Sequence, residues 1–309
     1  MCRDARKKIG GLGALAVMLS VVIAGCGRST SDSEMQSITD PDYIGKKYYL
    51  GWGAAAFGDP SNMHNEVKYD VLHTHDVFTQ NIGGSYVGTK LIGSGVNGSQ
   101  IRSQWTSLQQ QIKPDDMYVQ YSSGHGSRSG LMVGVTYNEM RDRALALKAR
   151  ETIIFTMACF SGNLVDSFNL ARDQWQDFQS QGKTLLVVGS SQSGETSSTG
   201  PGSDPGEPNG PNGSAGSAFG HAMWKGIIGY ADGAIDGVKD KKTTLEELLK
   251  FVIAKTKAIG GHTPKVTGVY DPKLVMTLTP SRAVLERLLG GTPEGLDALN
   301  EIINDGIVE

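Results

Sequence analysis

The sequence from Glu151 to Gly162, ETIIFTMACFSG, is the starting point for predicting the fold. Its first half is rich in β-branched and aromatic residues, which predicts a buried strand ending in small residues and Cys159. Ser161 and Gly162 then begin a predicted helix. Open α/β sheets bind ligands at the carboxyl ends of their strands, so Cys159 would lie at the functional edge. Taken alone, Cys159 has a second interpretation as a small buried hydrophobic residue, which most free cysteines are.

A second stretch, Met117 to Gly126, has the sequence MYVQYSSGHG and also predicts a strand, with His125 at its carboxyl end. If the two strands are parallel neighbours, they lie about 4.8 Å apart and bring His125 close to Cys159. The segment between them contains a predicted helix from Tyr137 to Leu147, which suits a right-handed crossover. An imidazole beside a thiol favours the thiolate, the form that attacks carbonyl carbon.

At these two stretches the chain resembles the caspase-like cysteine peptidases, the clan of legumains, metacaspases and caspases. Their hallmark is an apolar strand ending in His-Gly and a second ending in Ala-Cys, here His125-Gly126 and Ala158-Cys159. The continuation to Ser161-Gly162 looks most like legumains and metacaspases. The resemblance covers roughly residues 46 to 280. It implies an α/β fold of caspase-like type, a three-layer sandwich with a mostly parallel central sheet and helices on both faces.

The resemblance implies a cysteine endopeptidase acting on a peptide or protein substrate. Cys159 would attack the peptide carbonyl, and His125 would manage the protons and help to protonate the leaving amine. Backbone N–H groups of Gly126 and Cys159 would hold the oxyanion. Such a pair needs neither a metal nor an organic cofactor. The alternative is a catalytically silent caspase-like scaffold that binds a partner.

The substrate preference is not predicted by the resemblance. Legumains and metacaspases carry an acidic residue two places before the cysteine, where this chain has Met157. A segment rich in Gly, Ser and Pro, residues 190–216, follows a predicted strand from Thr184 to Gly189 and is too long for an ordinary connector. We predict that Ser190 and Ser191 contribute to the substrate cleft. Glu195 would either bind a basic substrate side chain or be an exposed, solvated carboxylate.

The first 25 residues predict a lipoprotein signal peptide rather than part of the fold. A basic start precedes an apolar run, residues 11–23, that is too short to span a bilayer. The run ends in Ile23-Ala24-Gly25-Cys26, which resembles the lipobox of bacterial lipoproteins. The resemblance implies that Cys26 carries lipid and anchors the protein to a membrane of the bacterial cell envelope, on its periplasmic or extracellular side. The alternative is an ordinary signal peptide. Residues 26–45 would form a flexible tether.

The charge pattern and a glycine-rich motif bear on other functions. The net charge is −3 with no basic stripe, so no nucleic-acid partner is expected.

Residues 93–98, GSGVNG, formally match a dinucleotide motif before a predicted helix from Ser99 to Ile112. The acidic residue expected at the end of the following strand is missing. The alternative is a turn in which Asn97 or Ser99 caps the helix.

Two further motifs resemble metal-binding sequences but lack the ligand arrangement that a metal site needs. His73 and His75 lie two apart on a predicted helix, so they would point in different directions. The turn beginning at Asp232 lacks the carboxylate that a calcium loop needs at its twelfth position. We predict instead a capping box, residues 243–246, before a helix that ends at Ala258. Residues 281–309 predict two short amphipathic helices beyond the peptidase-like region.

Overall fold

A computed structural model describes residues 45–54, 63–80, 86–170, 172–198, 216–289 and 293–307. The predicted signal peptide, Cys26 and nearly all of the tether lie outside the described residues. So does the central part of the Gly, Ser and Pro-rich segment, residues 199–215. Within the described ranges, no helix is long and apolar enough to cross a membrane.

A six-stranded sheet forms the centre of the fold, with strand order β2-β1-β3-β6-β7-β9. Its strands are β1 (Lys47–Ala54), β2 (Val87–Ile92), β3 (Met117–Gly124), β6 (Glu151–Met157), β7 (Thr184–Gly189) and β9 (Lys265–Val269). All neighbouring pairs are parallel except β7 and β9, which are antiparallel. Two short antiparallel pairs lie outside this sheet: β4 (Gly130–Leu131) with β5 (Val135–Thr136), and β8 (Lys242–Thr244) with β10 (Val275–Leu278).

Helices cover both faces of the sheet. They are α1 (Met63–Gln80), α2 (Gly98–Gln111), α3 (Tyr137–Leu145), α4 (Gly162–Leu170), α5 (Arg172–Ser180), α6 (Ala218–Lys225), α7 (Leu245–Gly260), α8 (Arg282–Leu289) and α9 (Pro293–Asn304), with a π-helical turn at Gly226–Tyr230 after α6. Successive strand residues point to opposite faces. Tyr121 and Phe155 pack with the face formed by α1, α6 and α7, whereas Tyr118 and Ile154 pack with α2, α3 and α4. The predicted three-layer α/β sandwich is therefore confirmed.

The C-terminal helices α8 and α9 pack on the same side as α6 and share its core through Leu285, Leu289 and Leu299. They form the two short helices that the sequence predicts. Lys225, which is 2% exposed, donates a 2.7 Å hydrogen bond from Nζ to Glu301 Oε1. This buried ammonium fixes α9 against the end of α6.

Several predicted boundaries differ from the structure. The helix predicted to begin at Ser161 and Gly162 begins at Gly162 as α4, and a separate helix, α5, follows it. The predicted capping box is shifted by one residue, because Thr244 is the N-cap of α7 and pairs with Glu247. Consecutive threonines suit the cap equally well, so composition could not select between them. At the glycine-rich motif, Asn97 caps α2 in a capping box with Gln100. This is the helix-capping turn given above as the alternative to a dinucleotide site.

Candidate active site

The loop carrying His125 and the turn carrying Cys159 follow adjacent parallel strands. Ser123 of β3 pairs in register with Met157 of β6, and each reactive residue lies two positions beyond its partner in this pair. The prediction that the two strands are parallel neighbours is confirmed. The two residues therefore lie at the same edge of the sheet, the edge where open α/β sheets bind ligands. Both are half-buried.

Gly126 is packed directly against the cysteine turn. A β-carbon at this position would lie 2.2 Å from the carbonyl oxygen of Cys159 and 2.8 Å from the β-carbon of Ala158. The β4–β5 hairpin holds the loop in place, because Met132 donates its N–H to the His125 carbonyl oxygen at 3.0 Å. Only a glycine fits here without moving the two loops apart. This packing is a second reason for the glycine after His125, beside its predicted role at the oxyanion.

The cysteine turn has a constrained backbone and a partly exposed thiol. Phe160, the residue after Cys159, has a φ of 59°, which is uncommon for a residue with a bulky side chain. Its N–H donates to the carbonyl oxygen of Glu195 at 2.8 Å. The Cys159 thiol, with Sγ 3.9 Å from the carbonyl oxygen of Ser197, donates a weak hydrogen bond to it. The segment after β7 therefore lies beside the sulfur.

Three serine hydroxyls donate hydrogen bonds to the turn that carries Cys159. The carbonyl oxygen of Ala158 accepts hydrogen bonds from Ser190 Oγ at 3.3 Å, Ser191 Oγ at 3.2 Å and Ser197 Oγ at 2.9 Å. The Ser190 and Ser191 side chains are fully buried. Their burial does not support the predicted contact with substrate, and the structure gives them a supporting contact with the residue before Cys159 instead.

Glu195 is neither a free nor a simply solvated carboxylate. Its Oε2 accepts hydrogen bonds from the backbone N–H of Gln192 at 3.0 Å and of Thr263 at 3.1 Å. The side chain thereby ties the segment after β7 to the residues that precede β9. Binding of a substrate side chain by Glu195 stays a prediction, and a substrate cation would share this carboxylate with two N–H donors.

A salt bridge that sequence analysis missed also holds the segment after β7 in place. Lys265 Nζ donates to Asp166 Oδ1 at 2.6 Å and to Ser193 Oγ at 3.0 Å. Burial alone would raise the pKa of Asp166, but hydrogen bonds from Lys265 and Ser193 hold it below its ordinary value. Because Asp166 and Lys265 lie 99 residues apart in sequence, no local pattern indicated the pair.

Asp70, on α1, is a second carboxylate that sequence analysis did not identify. It is 1% exposed, and its Oδ2 accepts hydrogen bonds from Ser123 Oγ at 2.6 Å and Ser217 Oγ at 2.7 Å. Its Oδ1 accepts the N–H of Ser217 at 2.8 Å. Burial raises the pKa of Asp70 to about 6, against the lowering effect of these hydrogen bonds. Asp70 therefore joins α1 and the start of α6 to the end of β3, just before His125.

Comparison with known proteins supports the architecture. No protein-family model matches the chain, and no curated protein matches its sequence. The crystal structure of caspase-1 from Spodoptera frugiperda matches 76% of this chain and 90% of its own, with a TM-score of 0.52 and 14% sequence identity. The fold is caspase-like. A structural-genomics protein from Geobacter sulfurreducens aligns over 74% of this chain and 94% of its own at 13% identity, but with a TM-score of 0.46.

The caspase-like fold is shown by this similarity, whereas the roles of individual residues stay predictions. Two predicted oxyanion donors have a suitable environment. Across the described part of the chain, the backbone N–H groups of Gly126 and Cys159 have no hydrogen-bond partner. Backbone donors that are fixed in place and not otherwise used are suited to stabilising a developing negative charge.

Proposed function

We propose that the protein is a cysteine endopeptidase of caspase-like type, closest to legumains and metacaspases. One observation carries the proposal: His125 and Cys159 follow neighbouring parallel strands in register, with Gly126 packed against the Cys159 carbonyl. The caspase-like fold supports it.

In the proposed reaction the Cys159 thiolate attacks the carbonyl carbon of a peptide bond. The N–H groups of Gly126 and Cys159 donate to the resulting oxyanion. His125 gives a proton to the leaving amine, the C–N bond breaks and a thioester forms. Water then attacks the thioester, releases the acid product and restores the thiol. All three residues are on the two loops at one edge of the sheet.

Met157 and Glu195 are the two positions considered for setting the residue preferred at the cleavage site. Met157 is buried and carries no charge. The carboxylate of Glu195 is held by two backbone N–H groups. The proposal therefore assigns neither of these residues as an acidic partner for a basic substrate side chain.

The decisive experiment is a peptide-library digest with wild-type protein, Cys159→Ala and His125→Ala. We expect cleavage by the wild type with a defined residue preference, and none by Cys159→Ala. Wild-type protein that cleaves nothing, in a library that other caspase-like peptidases digest, would favour the scaffold alternative. Cleavage that persists in Cys159→Ala would reject the assigned nucleophile.

We further propose that Cys26 is lipidated and anchors the peptidase to a membrane of the bacterial cell envelope. The lipobox-like sequence that ends at Cys26 supports this location. Labelled fatty acid should be incorporated into the wild-type protein in cells and not into Cys26→Ala. Equal labelling of both proteins would contradict the proposal.

A further inference from the structure

His125 and Met132 lie opposite each other on two antiparallel stretches of chain. Gly126 and Leu131 form the antiparallel bridge next to them. Met132 donates its N–H to the His125 carbonyl oxygen at 3.0 Å, and a second backbone hydrogen bond, at 2.8 Å, flanks the bridge on its other side. The side chains of directly opposite residues lie on the same face, with β-carbons about 5 Å apart. The backbone pairing therefore places the Met132 side chain beside the His125 imidazole.

The Met132 side chain is apolar and open to solvent, with 59% of the residue exposed. Single exposed apolar residues are common on protein surfaces, so exposure alone assigns no function. The position of Met132 beside His125 is what distinguishes it. Among the described residues, the other strongly exposed large apolar side chains lie on segments that carry neither His125 nor Cys159: Val87, Ile235, Val238, Val269 and Leu296.

The turn that carries Met132 is fixed to the start of α2 by hydrogen bonds. The Val133 carbonyl oxygen accepts the N–H of Gly98 at 2.7 Å. The Gly134 carbonyl oxygen accepts a hydrogen bond from Arg102 Nη2, also at 2.7 Å. A surface that is already ordered can bind a substrate group without the entropic cost of ordering a loop. The exposed methionine is therefore held in place before substrate arrives.

The last glycine of the GSGVNG motif makes this contact possible. A β-carbon at Gly98 would lie 2.8 Å from the Gly134 carbonyl oxygen and 3.1 Å from that of Val133. Both neighbours are backbone atoms, so any side chain at this position would push the turn away from α2. The glycine-rich motif thus supports the turn that carries Met132.

We propose that Met132 contacts the substrate residue directly after the scissile bond and selects an apolar side chain there. This assignment rests on the proposed function, in which His125 gives a proton to the leaving amine. The residue that carries this amine then lies beside the imidazole, on the side where Met132 is. Methionine suits such a contact, because its flexible and polarisable side chain adapts to apolar groups of different shapes.

The test compares kcat/KM for peptides that differ only in the residue after the scissile bond, which is Leu, Ser, Arg or Asp. The rest of the peptide is a sequence that the wild-type protein cleaves in the peptide-library digest. We expect the wild type to prefer the Leu peptide over the Ser peptide about tenfold, because contact with Met132 removes apolar surface from water. The preference should fall to about one in Met132→Ser and persist in Met132→Leu.

A charge at the same position should redirect the preference. Met132→Glu should lose the preference for Leu and favour the Arg peptide over the Asp peptide about threefold, the size expected for an exposed ion pair. Val238→Glu is the matched control. Val238 is 60% exposed and lies between the π-helical turn and β8, so the variant adds the same charge at the same exposure elsewhere. It should keep both wild-type ratios.

The possible failures can be told apart. Equal cleavage of the Leu and Ser peptides by the wild type would overturn the assignment of Met132 and keep the peptidase. A preference for Leu that survives in both Met132→Ser and Met132→Glu would also overturn it, since the apolar contact would then come from another residue. A wild-type protein that cleaves nothing in the library rejects the peptidase, and the assignment of Met132 falls with it. All three Met132 variants keep the backbone N–H that bonds His125, so their melting temperatures should stay close to that of the wild type.

Discussion

The buried carboxylate of Asp70 leads to a prediction about stability and pH. Asp70 is fully enclosed, and its pKa is raised to about 6 in the folded protein. An aspartate in an unfolded chain titrates near pH 3.9. Between these values the folded protein holds a proton that the unfolded chain has released. The free energy of unfolding contributed by this group is therefore greatest at low pH and falls as pH rises towards 6.

The size of the effect follows from the two pKa values. A difference of about two pH units at about 1.4 kcal/mol per unit gives about 3 kcal/mol. Asp70→Asn cannot ionise, so its contribution is constant across this range. The amide oxygen can still accept the N–H of Ser217, and the hydroxyls of Ser123 and Ser217 can rotate to suit the amide NH₂. We therefore expect the variant to fold.

The assay is urea unfolding of the wild type and Asp70→Asn at a series of pH values from about 4 to about 7. The difference in unfolding free energy, wild type minus variant, should fall by about 2 kcal/mol across this range, since part of the full effect lies below pH 4. Asp166→Asn is a control of opposite sign, because the pKa of Asp166 is lowered in the fold. Its stabilising contribution should instead be lost as pH falls in the acid range. A wild-type-minus-Asp70→Asn difference that stays constant with pH would refute the reasoning.

Three further substitutions test the packing of the site and of the C-terminal helices. Gly126→Ala should destabilise the fold by about 1–3 kcal/mol in urea unfolding and lower peptide cleavage about a hundredfold, because the new β-carbon would meet the Cys159 carbonyl oxygen at 2.2 Å; unchanged activity would contradict the close packing. Ser191→Ala removes one of the hydrogen bonds to the Ala158 carbonyl and should cost about 1 kcal/mol, lowering kcat more than it raises KM; a rise in KM alone would instead support substrate contact. Lys225→Met should lower the free energy of unfolding by about 1–3 kcal/mol and increase hydrogen exchange in α9, because Glu301 loses its 2.7 Å partner; unchanged exchange there would show that apolar contacts alone hold the helix.

The central strands and the position of the two reactive residues could be predicted because their signals are local. β6 and β7 are short apolar runs bounded by polar or small residues, and both were predicted within two residues of their observed ends. Adjacency of β3 and β6 then followed from the crossover between them. The antiparallel direction of β9 could not be predicted in this way, because its pairing with β7 spans about 80 residues of chain.

The carboxylates show a different limit of sequence reasoning. The sequence allows Glu195 to be a substrate ligand or a solvated side chain, and in the structure it binds the backbone of Thr263, 68 residues away. Asp70 lies on a helix with several other polar residues and has no local pattern around it, yet it accepts hydrogen bonds from Ser217, 147 residues away. Backbone N–H groups carry no residue identity, so a carboxylate bound to them leaves no partner pattern in the sequence.

The segment after β7 contains hydrogen bonds that composition alone does not indicate. Serine and glycine usually indicate flexible connections, because small polar residues bury little apolar surface. In residues 190–198, however, serine hydroxyls and the Glu195 carboxylate satisfy the turn before Cys159 and the residues before β9. Serine suits this place because a short side chain can reach a nearby carbonyl and still pack tightly. Because this segment is hydrogen-bonded on both sides, it can hold the thiol in one position without bound substrate, which is the preorganisation that the proposed nucleophile would require.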